Sequence, residues 1–186
     1  MGKVKILAIV GMSGSGKSEV VSYLTEQGWA RVYFGGIIIG EMKNRGIEVT
    51  PENEKIFREQ VREEEGKDYV VVRAIENVKN LIQAGQKKIV LDGLYTWTEY
   101  KILRKEFGSD LILISLVTTK TIRHNRVANR PERPFDAEEI NRRDWSEIEN
   151  LEKGGPIAIA DFYIHNDGSI SNMHDQLDEI TKNILQ

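Results

Sequence analysis

The sequence predicts an α/β fold: a five-stranded, doubly wound parallel sheet flanked by helices. Three observations carry that expectation. Nearly continuous apolar runs (KILAIV at 5–10, KIVLD at 88–92, LILISLV at 111–117) alternate with segments of helical periodicity. Strands buried on both faces of a parallel sheet read this way. The first run leads straight into Gly11-Met12-Ser13-Gly14-Ser15-Gly16-Lys17-Ser18, and EVVSYLTE follows with helical spacing, a strand–loop–helix unit. No repeat, linker or low-complexity tract divides the 186 residues, so one domain over 1–186 is expected.

Composition narrows the function classes. The chain is 40% hydrophobic and 30% charged, with a net charge of −3 and a pI near 5.7. That balance argues against broad nucleic-acid binding, which needs a basic surface. No apolar stretch approaches the roughly 20 residues that span a bilayer. The first apolar run enters the glycine-rich loop directly, unlike a signal peptide. There are no cysteines, which excludes disulfides and thiolate metal sites. A cytoplasmic protein is expected.

Residues 11–18 fit the pattern G-x-x-x-x-G-K-[ST] of a phosphate-binding loop. Gly11, Gly14 and Gly16 allow backbone conformations closed to other residues. The loop N–H groups can then wrap a phosphate at the start of the following helix. Lys17 would reach the β- and γ-phosphates, and the Ser18 hydroxyl would hold Mg²⁺. Nucleotide binding, with ATP and Mg²⁺ as cofactors, is the expectation.

The remaining elements follow in order. The first strand runs from about Val4 to Val10, and its helix ends near Gly28. Arg31 to Phe34 reads as a short strand, Gly35-Gly36 as a break, and Ile37 to Asn44 or Arg45 as a helix. Thr50-Pro51-Glu52 is a strong helix start. The charged helix that follows, to about Glu65, has few apolar positions (Ile56, Phe57, Val61) and reads as solvated. Asp68 caps a helix to Ala84 whose Val71, Ile75, Val78 and Ile82 share a face, either core or a dimer contact. The strand at 88–92 ends in Asp92-Gly93, which places a carboxylate at the carboxyl edge of the sheet. Asp92 could hold Mg²⁺ through water, accept a proton from an attacking hydroxyl, or cap the helix that begins near Thr96. A helix at 98–107, a strand at 111–117, a strand at 161–166, a turn at 166–169 and a helix at 170–185 complete the chain.

Between 123 and 143 lie six arginines: Arg123, Arg126, Arg130, Arg133, Arg142 and Arg143. The first three share a helix face; Pro131 and Pro134 break that helix, and another starts near Asp136. Arginines on both arms of a helix–turn–helix suit a flap over phosphate, because guanidinium matches phosphate oxygens with paired hydrogen bonds. The bland reading is salt-bridged surface, with Glu138, Glu139, Glu147 and Glu149 nearby. Gly154-Gly155-Pro156 would end the arm. His124, His165 and His174 form no metal-ligand set.

GMSGSGKS, LDG, the RHNRVANR…RRD segment and ADFYIHNDGS stand in the order found in nucleoside-monophosphate-kinase-like P-loop proteins. The chain most resembles an archaeal P-loop family related to dephospho-coenzyme A kinase. The resemblance implies a five-stranded parallel core, a helical acceptor-binding region over about 35–84, and a closing arginine-rich lid over about 123–153. It implies that Arg126 packs on the nucleotide base, that Arg130 and Arg143 reach the transferred phosphate, and that the turn from Asn166 lies near the adenine. The acceptor side departs from it: the usual acid and arginine are replaced at Gly35-Gly36-Ile37-Ile38-Ile39-Gly40, and the usual arginine after Asp-Gly by Leu94-Tyr95-Thr96-Trp97. Arg45, Arg62 and Arg73 are candidate substitutes, and Tyr95 or Trp97 could stack on an acceptor base or belong to the core.

The expected function is therefore an ATP- and Mg²⁺-dependent phosphotransferase. Its partners would be a nucleotide donor and a small acceptor, dephospho-coenzyme A or a (deoxy)nucleoside monophosphate. Lys17, Asp92, Arg126, Arg130 and Arg143 would be catalytic. Gly11 to Ser18, Arg126 and Asn166 would bind the nucleotide, with Ser18 and Asp92 at the metal. The competing expectation is an NTP-binding regulator with slow hydrolysis and no small acceptor. The oligomeric state is open, a homo-oligomer included.

Overall fold

The computed structural model describes residues 3–66, 68–131 and 134–186. Five strands form one parallel sheet, in the order β2-β3-β1-β4-β5. They are β1 (Lys5–Val10), β2 (Ala30–Tyr33), β3 (Lys88–Asp92), β4 (Leu111–Val117) and β5 (Phe162–His165). The helices are α1 (Lys17–Glu26), α2 (Phe34–Asn44), α3 (Pro51–Glu65), α4 (Tyr69–Gln83), α5 (Trp97–Phe107), α6 (Lys120–Ala128), α7 (Ala137–Glu149), α8 (Gly154–Ala158) and α9 (Ile170–Leu185). Among the described residues no helix is long and apolar enough to cross a membrane.

The alternation of side chains along β1 builds both layers of the core. Ile6, Ala8 and Val10 face one side, where Val71, Ala74 and Val78 of α4 and Leu103 of α5 cover them. Leu7 and Ile9 face the other, covered by Val20, Val21 and Leu24 of α1 and by Met173 and Leu177 of α9. Every residue from Ile6 to Val10 is at most 1% exposed, as the continuous apolar run requires. The apolar face of the 68–84 segment thus belongs to the core. A third cluster, Ile38, Met42, Phe57, Val61 and Tyr69, joins α2, α3 and α4. Phe57 and Val61 anchor the charged helix α3 there, while Ile56 stays exposed.

The helix ends follow their sequence signals in most places. The Thr50 hydroxyl accepts from Asn53 N–H at the start of α3. Thr96 with Glu99, and Asp136 with Glu139, form capping boxes. Asp68 holds the cap position of α4 without a capping side-chain hydrogen bond. Two glycine pairs behave differently from expectation. Gly35 and Gly36 do not break the chain; they lie in the first turn of α2, which starts at Phe34. Tyr33 lies over them, and a Cβ at Gly35 would sit 2.6 Å from its ring. Small size, not backbone freedom, explains these glycines. Likewise Gly154 and Gly155 open α8, where a Cβ on Gly155 would lie 2.8 Å from the Trp97 ring.

Leu91 on β3 is fully buried and sits between β2 and β1 in the register Val32↔Leu91↔Ala8. Leu91→Ala is expected to cost about 2–5 kcal/mol through lost contact and a residual cavity. A shift of the urea midpoint with an unchanged slope would register it, and an unmoved midpoint would contradict this packing.

Candidate functional site

Residues 11–16 leave the carboxyl end of β1, the central strand. The connection after β1 runs outward to β2, and the one after β4 runs outward the other way, to β5. Such divergence opens a crevice at the strand ends. The loop fills it in a conformation that three glycines at positive φ, Gly11, Gly14 and Gly16, make possible. Gly14 has φ +82°, and a Cβ there would lie 2.6 Å from the Arg123 carbonyl. Gly16 has φ +99° and caps α1 with no side-chain hydrogen bond, so the first N–H groups of α1 have no capping side chain. Below the loop, Asn166 (5% exposed) donates from Nδ2 to the Ser15 carbonyl at 2.9 Å. Thr118 donates to the same carbonyl at 3.3 Å. Asn166 therefore braces the loop from beneath.

Lys17 folds back over the loop and donates from Nζ to the carbonyls of Gly11 (2.8 Å) and Met12 (3.0 Å). Its pKa falls to about 7. Burial is the main cause, then the charge of Lys153; Glu147 opposes, and Arg143 and Arg130 add to the lowering. These neighbours form one cluster. Glu147, on α7 and buried, accepts from Ser13 N–H at 3.0 Å. Its other oxygen lies 3.0 Å from Lys153 Nζ and 3.4 Å from Arg143 Nε. Lys153 is 1% exposed, its pKa lowered by burial and partly restored by Glu147.

The arginines divide by role. Arg123 is buried; it donates to the Ser13 carbonyl at 3.0 Å and grips Asp144 with two hydrogen bonds of 2.9 Å. Burial alone would raise the Asp144 carboxyl, but hydrogen bonds from Arg123 and His124 hold it below the usual carboxylate range. Arg126 carries a buried Nη1 with no hydrogen-bond partner among the described residues. Arg130 lies just past the end of α6, exposed, and its charge is felt by Lys17. Arg142 is exposed and lies 4.0 Å from Glu138. Arg133 lies outside the described residues. His174 stacks on Tyr23 and His165 lies exposed on β5.

Asp92 ends β3 beside β1, paired in register with Ile9 and Tyr33. It does not cap α5, since Thr96 does so. Instead Arg31 on β2 holds it with two hydrogen bonds, one of 3.0 Å from Nε and a shorter one from Nη2. Ser18, Asp92 and Arg31 line one cleft. A hydroxyl and a carboxylate are the hard oxygen donors that Mg²⁺ takes while keeping waters and phosphate oxygens. Among the described residues no group of three or more acidic, histidine or cysteine side chains could hold a metal by itself. The donor set fits a nucleotide-bound Mg²⁺.

A second cleft, of about 50 Å³, opens between α2, α3 and the segment after β3, lined by Phe34, Ile38, Arg58, Tyr69, Tyr95 and Glu99 among others. Its walls are mainly apolar and aromatic. Of the expected substitute cations, Arg45 is tied to Glu41, Glu64 and Glu65, Arg73 to Glu76, and the Arg62 side chain lies outside the described residues. The cleft's arginine is Arg58, paired with Glu54; its helix reads as solvated from sequence, which conceals it. Tyr95 faces the cleft, its phenol pushed up by burial and then by Asp92. Trp97 instead packs under Gly155 and against Tyr100, a core position. The Lys153 ammonium lies 5.0 Å from the Tyr95 ring centre, which joins the cation cluster to this cleft. Glu147 and Lys153 have no periodic or motif signal; only the chain's return to the loop reveals them.

The sequence matches the AAA domain family over residues 7–153. It is 31% identical to a UPF0200 protein of Thermococcus onnurineus over 183 residues, covering 97% of this chain and 98% of that one. Among solved structures, shikimate kinase from Acinetobacter baumannii aligns with a TM-score of 0.59 at 17% identity, over 98% of this chain and 96% of that one. Dephospho-CoA kinase from Campylobacter jejuni aligns with a TM-score of 0.57 at 15% identity, over 97% of each. At these identities the likeness is one of fold.

Folding lowers the proton affinity of Lys17 from its usual 10.5 to about 7. Between those values the unfolded chain carries a proton that the folded chain has shed, so stability rises with pH across the window. One such group contributes at most about 1.4 kcal/mol per pH unit. Denaturant titrations at pH 7 and 9 are expected to show the rise, and Lys17→Met to flatten it. An equal slope in both proteins would contradict the buried position of Lys17.

Proposed function

The chain belongs to the UPF0200 family and carries its AAA domain; on that premise we propose an ATP- and Mg²⁺-dependent phosphotransferase that acts on a small nucleotide-like acceptor. One observation carries the reading. Lys17, Lys153, Arg143 and Arg130 gather at the start of the glycine-rich loop around Glu147, in a protein whose net charge is −3. A local surplus of cations beside open backbone N–H groups matches a polyphosphate.

In this reading Lys17 and the loop of Gly11, Met12, Ser13, Gly14, Ser15, Gly16 and Ser18 hold the donor phosphates; the Ser13 N–H is engaged by Glu147 and the Ser15 N–H by the Met12 carbonyl, which leaves the other amides for the phosphates. Ser18 and Asp92 would hold Mg²⁺, Asp92 through water, and a bound Mg²⁺ would supply positive charge to the phosphates. The alternative role for Asp92 is to take the acceptor's proton. Arg126, whose Nη1 has no hydrogen-bond partner among the described residues, would lie against the base; Arg130 and Arg143 would reach the transferred group, and the turn from Asn166 would lie near the adenine. Residues of about 123–153 act as the lid, about 35–84 receive the acceptor, and 1–186 work as one kinase domain. An apolar cleft with Tyr69 and Tyr95 suits a planar base better than a polyhydroxylated ring. Dephospho-coenzyme A or a (deoxy)nucleoside monophosphate is the acceptor class, with the kinase folds of the structural neighbours in support.

A second reading rests on the acceptor-side arginines. Arg45, Arg58 and Arg73 are each paired with glutamate, which would suit an NTP-binding regulator with slow hydrolysis. ADP release from ATP and Mg²⁺ across nucleoside monophosphates, nucleosides and dephospho-coenzyme A separates the two. Stimulation by one acceptor is expected, and Lys17→Ala should abolish it. A flat panel despite tight ATP binding would sink the kinase in favour of the regulator.

A further inference from the structure

Lys153 is the most deeply buried cation of the cluster, at 1% exposed. Burying an ammonium is expensive unless it is compensated. Its compensation is incomplete. Glu147 shares its carboxylate between Lys153, Arg143 and the Ser13 N–H. Beyond that carboxylate, Glu99 is the acidic side chain that acts on Lys153, and Lys17 and Arg143 oppose it. The Nζ atom lies beside the loop through Glu147 and 5.0 Å over the ring of Tyr95, a wall of the acceptor cleft. The chain also adopts an unfavourable backbone to put it there. Glu152, the residue before it, has φ +51°, in the left-handed region, alone among the described non-glycine residues. Such outliers cost on the order of 1–3 kcal/mol and persist where the surroundings impose them.

Building on the phosphotransferase reading, we propose that the Lys153 ammonium contacts the γ-phosphate of bound ATP, the group passed to the acceptor. The geometry sets both ammonium groups at the loop: Lys17 Nζ donates to the Gly11 and Met12 carbonyls, and Lys153 Nζ lies 3.0 Å from the Glu147 carboxylate that holds the Ser13 N–H. A γ-phosphate supplies the negative charge that Glu147 alone does not. It also gives the ammonium oxygen acceptors in place of an aromatic face. ADP lacks that group, so Lys153 should serve ATP and leave ADP untouched.

Calorimetric titration of ADP and of the non-hydrolysable analogue AMP-PNP, each with Mg²⁺, tests this without any acceptor. In Lys153→Met the AMP-PNP affinity is expected to fall roughly ten- to a hundredfold, as for a lost charged hydrogen bond, with ADP affinity changed less than about twofold. Lys153→Arg should recover most of the loss. A thermal melt checks folding, and the double variant Glu147→Gln/Lys153→Met removes the carboxylate that the single variant strands. If Lys153 is merely the counter-ion of Glu147, the double variant regains AMP-PNP affinity, and the proposal fails. Equal losses for both nucleotides, or no loss, also overturn it. Wild-type protein that binds neither nucleotide would sink the phosphotransferase reading together with this inference. Wild type that binds both, with Lys153→Met unchanged, would sink the inference alone.

Discussion

The rest of the site depends on how one residue of the loop is held through both its backbone N–H and its carbonyl. The Ser13 N–H donates to Glu147 and the Ser13 carbonyl accepts from Arg123. Arg123 is itself clamped by Asp144. Asp144 and Glu147 are three residues apart on α7, so they lie on one face of that helix. A single turn of α7 therefore grips the loop from both sides of one residue. Buried charges left without partners would be severely destabilising, so loop and helix are expected to hold or release each other as a unit.

The sheet supplies the fixed side of this arrangement. β1 is buried on both faces, and its carboxyl end delivers the loop into the gap left by diverging connections. Asn166 and Thr118, from the segments after β5 and β4, converge on the Ser15 carbonyl. The loop is thus fastened from below by the sheet's own continuations and from above by α7. The cation cluster gathers around Glu147 of α7, and the aromatic cleft opens beside it across Tyr95.

Much of this was legible in the sequence. β4 and α9 match their expected bounds because an unbroken apolar run and a strong 3.6-residue period leave little ambiguity. The caps at Thr50 and Asp136 are local hydrogen bonds, and local chemistry can be read locally. The glycine-rich loop announces itself by spacing. What escaped depends on distance along the chain. Glu147 meets Ser13 across 134 residues, and Asp92 meets Arg31 across 61. No periodicity encodes such pairs. Gly35-Gly36 misled for another reason: glycine marks both breaks and close packing, and only Tyr33 above the helix decides between them. Arg58 stayed hidden because a charged helix gives no sign of which charge turns inward.

The lengths of the strands have a consequence of their own. β1, β3 and β4 have six, five and seven residues, whereas the outermost strands β2 and β5 have four each. An outer strand presents unpaired backbone donors and acceptors to any passing chain, and a long flat one invites another molecule to extend the sheet. Here each border offers a segment too short to template much, and the chain turns from β2 directly into a helix. The same brevity that makes β2 and β5 faint in the sequence restrains the sheet from growing between molecules.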